Sequence, residues 1–126
     1  MALSGNTEMI DLAILAAIVG SHPEKIRKFS RKFLDVAHGC IQQIEAAYNM
    51  GDLHEMSELG HKLKSSARVV GALNFATLCE TLEHAQHEGT LATAYDLFIQ
   101  LPPLLAQIEC IIDMQVGKAD AGADAD

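Results

Sequence analysis

The chain has 126 residues, enough for one hydrophobic core and one domain. It is acidic, with a formal net charge of −8, which excludes general nucleic-acid binding. Its three cysteines, Cys40, Cys79 and Cys110, lie far apart among apolar residues and read as reduced core residues of a cytosolic protein, not as a disulfide framework. The apolar run Met9–Val19 is too short to span a bilayer, is interrupted by Asp11 and lacks a basic segment before it. It reads as neither a membrane span nor a signal peptide.

Apolar residues recur at helical spacing throughout, and no useful length alternates with period two. The first predicted helix covers about residues 8–19 and stops at Gly20. Ser21-His22-Pro23-Glu24 then reads as a capping box, with Ser21 as the cap and Glu24 reaching back. The second helix, about 22–49, carries Ile26, Phe29, Phe33, Val36, Cys40, Ile44 and Ala47 at intervals of three and four. Gly51 breaks it, and Asp52 with Glu55 opens the third, about 53–70. Its seam is Leu53, Met56, Gly60, Leu63, Ala67 and Val70. Gly71 stands where a helix ends on a left-handed residue. Asn74 is the expected cap of the fourth helix, about 74–88, which turns Phe75, Leu78, Cys79, Leu82 and Ala85 inward. Gly89-Thr90 separates it from a fifth helix, about 91–116, whose register carries across Pro102-Pro103. One helix with a kink at 102–103 is therefore predicted. Residues 118–126 hold only Ala, Asp, Gly and one Lys, and are expected to be a disordered tail. The fold class is all-α: an antiparallel up-down four-helix bundle with an additional short N-terminal helix, in one domain over residues 1–117. Such bundles serve many unrelated functions, so function has to come from a site.

The third helix carries the candidate site, in His61-Lys62-Leu63-Lys64-Ser65-Ser66-Ala67-Arg68. At about 100° per residue, His61 lies just off the Gly60/Leu63 seam and faces out. Lys64, Ser65 and Arg68, three, four and seven positions on, share its face, while Ser57 lies on the other side. Helical side chains lean toward the N-terminus, so residue 65 covers the imidazole. Serine there leaves it open, and Gly60 and Ser57 remove bulk nearby. An imidazole titrates near neutrality and is a nucleophile only when neutral. The cations Lys64 and Arg68 favour that form and attract phosphoryl oxygens. An open imidazole so flanked suits the acceptance and return of a phosphoryl group. Lys25, Arg27, Lys28, Arg31 and Lys32, five of the nine cations, lie level with the far end of the third helix. They are read either as an extended docking surface or as a solvated face.

Together with Gly71-Ala72 and the following Leu78-Cys79-Glu80-Thr81-Leu82-Glu83, this stretch resembles the signature of histidine-containing phosphotransfer (HPt) domains, roughly His-x-Leu-Lys-Gly-Ser-Ser-x-x-x-Gly-Ala. The resemblance spans about residues 20–117 and is specific in 61–83. Ser65 departs from it, standing where the pattern usually has glycine, and Ala67 replaces a common serine. The resemblance implies that His61 takes a phosphoryl group from one receiver-domain aspartate and passes it to another. Lys64 would assist phosphoryl binding, Ser65 would provide clearance, and Arg68 would act electrostatically. It implies no cofactor in this chain, the magnesium ion sitting in the partner receiver. The implied partners are response-regulator receiver domains and a hybrid sensor histidine kinase, with no nucleic acid and no membrane contact. A monomer in the cytoplasm is implied, or the cytoplasmic portion of a larger membrane-bound kinase. No ATP-binding signature is visible, so the chain reads as a phosphoryl carrier without a kinase domain of its own.

Two other readings stand beside this one. A bundle of the same shape could dock a receiver without accepting phosphate. Alternatively, Glu58-x-x-His61, and His84 with His87 beside Glu83 and Glu88, have metal-ligand spacing, although the second Glu-x-x-His that a di-iron bundle needs is missing. The first helix bears on oligomeric state: a buried face of Ile10, Ile14 and Ile18 would mean that it caps its own bundle.

Overall fold

The computed structural model describes residues 9–116, and among them it is all-helical. The helices are α1 (Leu12–Val19), α2 (Pro23–Asn49), α3 (Leu53–Val69), α4 (Leu73–Glu88), α5 (Leu91–Phe98) and α6 (Leu101–Val116). Helices α2, α3 and α4, with α5 and α6 in series as the fourth wall, form an antiparallel bundle. Helix α1 lies across α2 and α3. The expected tail at 118–126 falls outside the described residues.

The core is built from Phe33, Leu34, Ala37 and Ile44 of α2, Met56 and Leu63 of α3, Phe75 and Leu82 of α4, and Leu101, Leu105, Ile108 and Ile112 of α6, all buried. Phe33 and Phe75 meet edge to face, with centroids 5.9 Å apart. Each such large side chain contributes about 1.5–3 kcal/mol on burial. The inward face of α2 differs from the predicted stripe: Phe29 and Val36 are 43% and 41% exposed, while Ser30 is buried. A serine reads as a surface residue. Here its hydroxyl closes on the Ile26 carbonyl at 2.6 Å, so a polar residue enters the core with its hydrogen bond made.

Several boundaries move for identifiable reasons. The N-cap of α2 is His22, without a side-chain cap bond, and Pro23 opens the helix, so no capping box forms at Ser21. Proline needs no partner for a missing N–H and arrives with its φ preset. Helix α4 starts at Leu73 after Ala72, leaving Asn74 inside its first turn. Asp52 does cap α3, accepting from the Glu55 N–H at 3.0 Å. The fifth predicted helix is two helices, and the interruption at Ile99–Gln100 precedes the prolines. Pro102 and Pro103 sit in the first turn of α6, where backbone N–H groups have no intrahelical acceptor in any case. By length and composition the run Leu91–Val116 could cross a membrane, yet its Leu101, Leu105, Ile108 and Ile112 line the bundle core. Cys40 and Cys79 are buried as expected, whereas Cys110 is exposed.

Asp11 does not interrupt a helix; it starts one. Its side chain accepts from the Ala13 N–H at 3.1 Å, and its own N–H donates to the Gly71 carbonyl at 2.9 Å. Helix α1 is thereby tied to the α3–α4 turn. The inward residues of this segment are Ile10, just ahead of the cap, and Leu15 of α1, while Ile18 is 62% exposed, so the face used is not Ile10/Ile14/Ile18. Gly71 ends α3 at φ +79°, and a Cβ on it would collide with the Asp11 backbone.

Glycine-to-alanine changes are therefore expected to have opposite signs at two positions. Gly71→Ala should lower stability by about 1–3 kcal/mol, through a left-handed backbone and the clash with Asp11. Gly39→Ala, inside α2 with nothing within 4 Å of the added carbon, should raise it by about 0.5–1 kcal/mol. Urea denaturation of the two variants checks both signs.

Candidate functional site

The site is made by the close approach of α3 and α4. Gly60 is buried on the inner side of α3, where an added Cβ would lie 3.0 Å from the Cys79 carbonyl oxygen and 3.3 Å from the Glu83 nitrogen. One turn earlier, buried Ser57 donates its hydroxyl to the Leu82 carbonyl at 3.2 Å. Gly60 and Ser57 thus do not clear space above His61, as their small size suggests. They let α4 come close beneath it.

That approach places Glu83 against His61. One carboxylate oxygen, Oε2, lies 2.8 Å from His61 Nδ1, and the other, Oε1, accepts from Lys64 Nζ at 2.6 Å. An ionised carboxylate only accepts hydrogen bonds, so Nδ1 carries a proton, and in the neutral ring the lone pair falls on Nε2. The Nε2 atom has no protein partner among the described residues, and the His61 side chain is 57% exposed. The Lys64 hydrogen bond, and then that of His61, hold the Glu83 carboxyl below the usual carboxylate range.

The four residues singled out by sequence have different surroundings. His61 is the open imidazole. Lys64 is buried, with 11% of its side chain exposed, and its charge is half of an ion pair with Glu83. Ser65 is exposed, with its hydroxyl 3.5 Å from the His61 carbonyl one turn back and so directed along its own helix. Arg68 pairs loosely with Glu80 at 3.4 Å, both side chains well exposed, an arrangement worth at most about 1 kcal/mol. The anion touching the imidazole is Glu83, which the sequence reading left out of the site. A signal for it was present. His61 and Glu83 stand eleven residues either side of Ala72, where α3 turns into α4, so an antiparallel pairing of these helices sets them level.

The basic run of α2 divides into arginines bound to α6 and lysines left in solvent. Arg27 Nε donates to the Val116 carbonyl at 2.8 Å, and Arg31 pairs with Asp113 and Glu109 of α6. These two clamp α6 and are not part of the face around His61. Lys28 and Lys32 remain exposed, and with Arg27, Arg31, Phe29 and Asp35 they line one groove along α2. Of the metal-like spacings, His84 opens with Glu80 and Glu88 on a groove between α4 and α5. Among the described residues no group of three His, Cys, Asp or Glu side chains converges as a metal site requires.

The Hpt domain family model matches residues 28–109. The fold is similar to the crystal structure of histidine-containing phosphotransfer protein B (HptB) from Pseudomonas aeruginosa PAO1, with a TM-score of 0.77 and 20% sequence identity, covering 85% of this chain and 93% of that one. At that identity the likeness speaks to the fold. A search of curated proteins gives no match.

Because Glu83 is more acidic in the fold than in an unfolded chain, its ion pairs stabilise the protein above about pH 4.3, the ordinary glutamate value. That contribution is lost as pH falls through the depressed native value. Glu83→Gln should therefore cost about 1 kcal/mol at pH 7 and much less at pH 3, measured by urea denaturation at the two pH values.

Proposed function

This chain belongs to the histidine-containing phosphotransfer (Hpt) domain family, which works in phosphorelays, and we propose that His61 is its phosphoryl carrier. The observation that carries this reading is the presented ring: Nδ1 held by Glu83 on an imidazole that is otherwise open to solvent. A receiver aspartyl phosphate brought against α3 meets Nε2 first. The Nε2–P bond forms, the acyl P–O bond breaks, and its electron pair returns to the receiver carboxylate. The second receiver runs the same exchange in reverse. Both phosphorylated groups are high in energy, so neither direction needs a further energy source.

The neighbouring residues take roles that follow from their places. Ser65 supplies clearance: it sits where a helical side chain would lie over the imidazole, and it is small. Lys64 binds the phosphoryl group through a second N–H of its ammonium while the first stays on Glu83, a charge-assisted bond in a mostly dry position. Arg68 adds positive potential from its exposed place two turns on. The receiver docks across α2 and α3, where Val36, Gly39, Gln43 and Lys62 line a shallow groove at the foot of the His61 face. Lys28 and Lys32 extend its charge, and Arg27 and Arg31 do not. The carrier needs no cofactor of its own, the magnesium ion entering with the receiver. A hybrid sensor kinase is the proposed upstream source, the cytoplasm or the cytoplasmic portion of such a kinase the proposed location, and a monomer the proposed state. The packing of α1 on its own bundle supports the last.

Incubation with a phosphorylated receiver domain should give acid-labile, alkali-stable label on the wild type and none on His61→Gln. If several receivers bind measurably and leave no label, the chain is a docking module. Ser65→Leu should bind the receiver and slow transfer at least tenfold, about 1.4 kcal/mol in the barrier. An unchanged rate would remove the clearance role.

A further inference from the structure

Glu83 is an ionised carboxylate in contact with the ring nitrogen opposite the one that reacts, and simple positioning does not require that charge. An amide oxygen could accept the Nδ1–H equally well. The difference appears once the ring is phosphorylated. When Nε2 takes the phosphoryl group, the proton already on Nδ1 stays, and the ring becomes cationic. If Nδ1 keeps its proton, the next nucleophile at phosphorus displaces a neutral imidazole. If Nδ1 loses it, the leaving group is an imidazolate anion, which departs far less readily. Whatever holds the Nδ1 proton therefore keeps the N–P bond ready to break.

We propose that the Glu83 carboxylate sets the lifetime of phosphorylated His61, holding the proton on Nδ1 and making the carrier a short-lived, strong donor and not a store. This rests on His61 being the carrier. No proton enters or leaves the ring in the exchange: the Nε2–P bond forms as the acyl P–O bond breaks, and on the way out the N–P electron pair returns to Nε2. Glu83 is a positioning residue, acting on phosphorus only through the ring.

The charged and titratable neighbours are few and have definite places. Lys64 shares the same carboxylate at 2.6 Å and keeps it ionised. Arg68 pairs loosely with Glu80, and His84, next to Glu83 along α4, opens on the groove toward α5. Glu58 and Lys62 flank His61 on α3, both exposed, and Ser65 is uncharged. From α2, exposed Asp35 and the Cys40 thiol, held protonated by burial, line the groove that Lys62 borders, and on α4 His87 stands exposed one turn after Glu83.

The experiment measures the half-life of the phosphohistidine after removal of the phosphorylated receiver, from pH 6 to 9, in wild type, Glu83→Gln, Glu83→Asp, Lys64→Gln and the Lys64→Gln/Glu83→Gln pair. Replacing a charge-assisted hydrogen bond by a neutral one should lengthen the half-life in Glu83→Gln about tenfold near neutral pH. It should also move the onset of rapid hydrolysis to lower pH. Glu83→Asp, which keeps the charge, should recover part of the wild-type lability. Loss of Glu83 also frees Lys64, which could itself retain the phosphoryl group, so the double variant separates the two causes. A lengthened half-life in the Lys64→Gln background supports the proposal. Lengthening seen only when Lys64 is present overturns it, as does a Glu83→Gln half-life equal to or shorter than wild type. Absence of His61 label on the wild type is a different result: it removes the carrier reading itself.

Discussion

The contact on which the rest of this molecule depends is the near-touching of the α3 and α4 backbones at Gly60. Ordinary helix pairs keep side chains between them and lie 8–10 Å apart. Here one residue has no side chain and its neighbour one turn earlier has a serine hydroxyl that bonds straight to the facing backbone. Two consequences follow from the same closeness. Inward, Met56, Leu63, Phe75 and Leu82 are buried in the core that α3 and α4 share with α2. Outward, the short reach lets a glutamate from α4 grip an imidazole and an ammonium from α3 with one carboxylate. Fold and site are two faces of one helix pair.

The bundle and its presented histidine were legible in the sequence because both rest on local spacing. The seam of α3 follows from a three-four repeat, and Gly71 ends that helix with the positive φ expected of it. The misreadings came where a residue type has two uses. Ser30 is absent from the apolar stripe and is nonetheless core, because a serine can satisfy itself within its own helix. Asp11 looked like an interruption and is a cap. Proline looked like a kink in one helix and instead opens another. Phe29 and Val36 kept helical spacing and still face outward, because spacing fixes which residues share a face and not which face a neighbouring helix covers. The partner of His61 was hidden for a related reason: Glu83 belongs to another helix, so the pairing emerges only when α3 and α4 are laid against each other from their turn.

Charge is distributed by the same logic. Arg27 and Arg31 share one groove with Lys28 and Lys32, but only the arginines reach across to α6. The arginines, with their broad planar groups, clamp the end of α6 and hold the fourth wall onto α2, while the lysines stay in solvent. Likewise, of the two cations expected beside the imidazole, one is already neutralised by the carboxylate that also touches the ring. A count of lysines and arginines therefore overstates the positive field at the site; what a ligand meets depends on which of them are already paired.

The burial of Cys79 beneath Gly60 has a chemical consequence of its own. Lying out of water against the α3–α4 contact, its thiol is pushed up to about 12, and Cys40 is raised in the same direction. Thiolates, not thiols, react with electrophiles, so both core sulfurs are inert while the fold is intact. Cys110, exposed on α6, is then the chain's single addressable handle. A fluorophore or spin label attached there rides on a helix outside the α3–α4 seam and can report on an approaching partner without occupying the surface that partner needs.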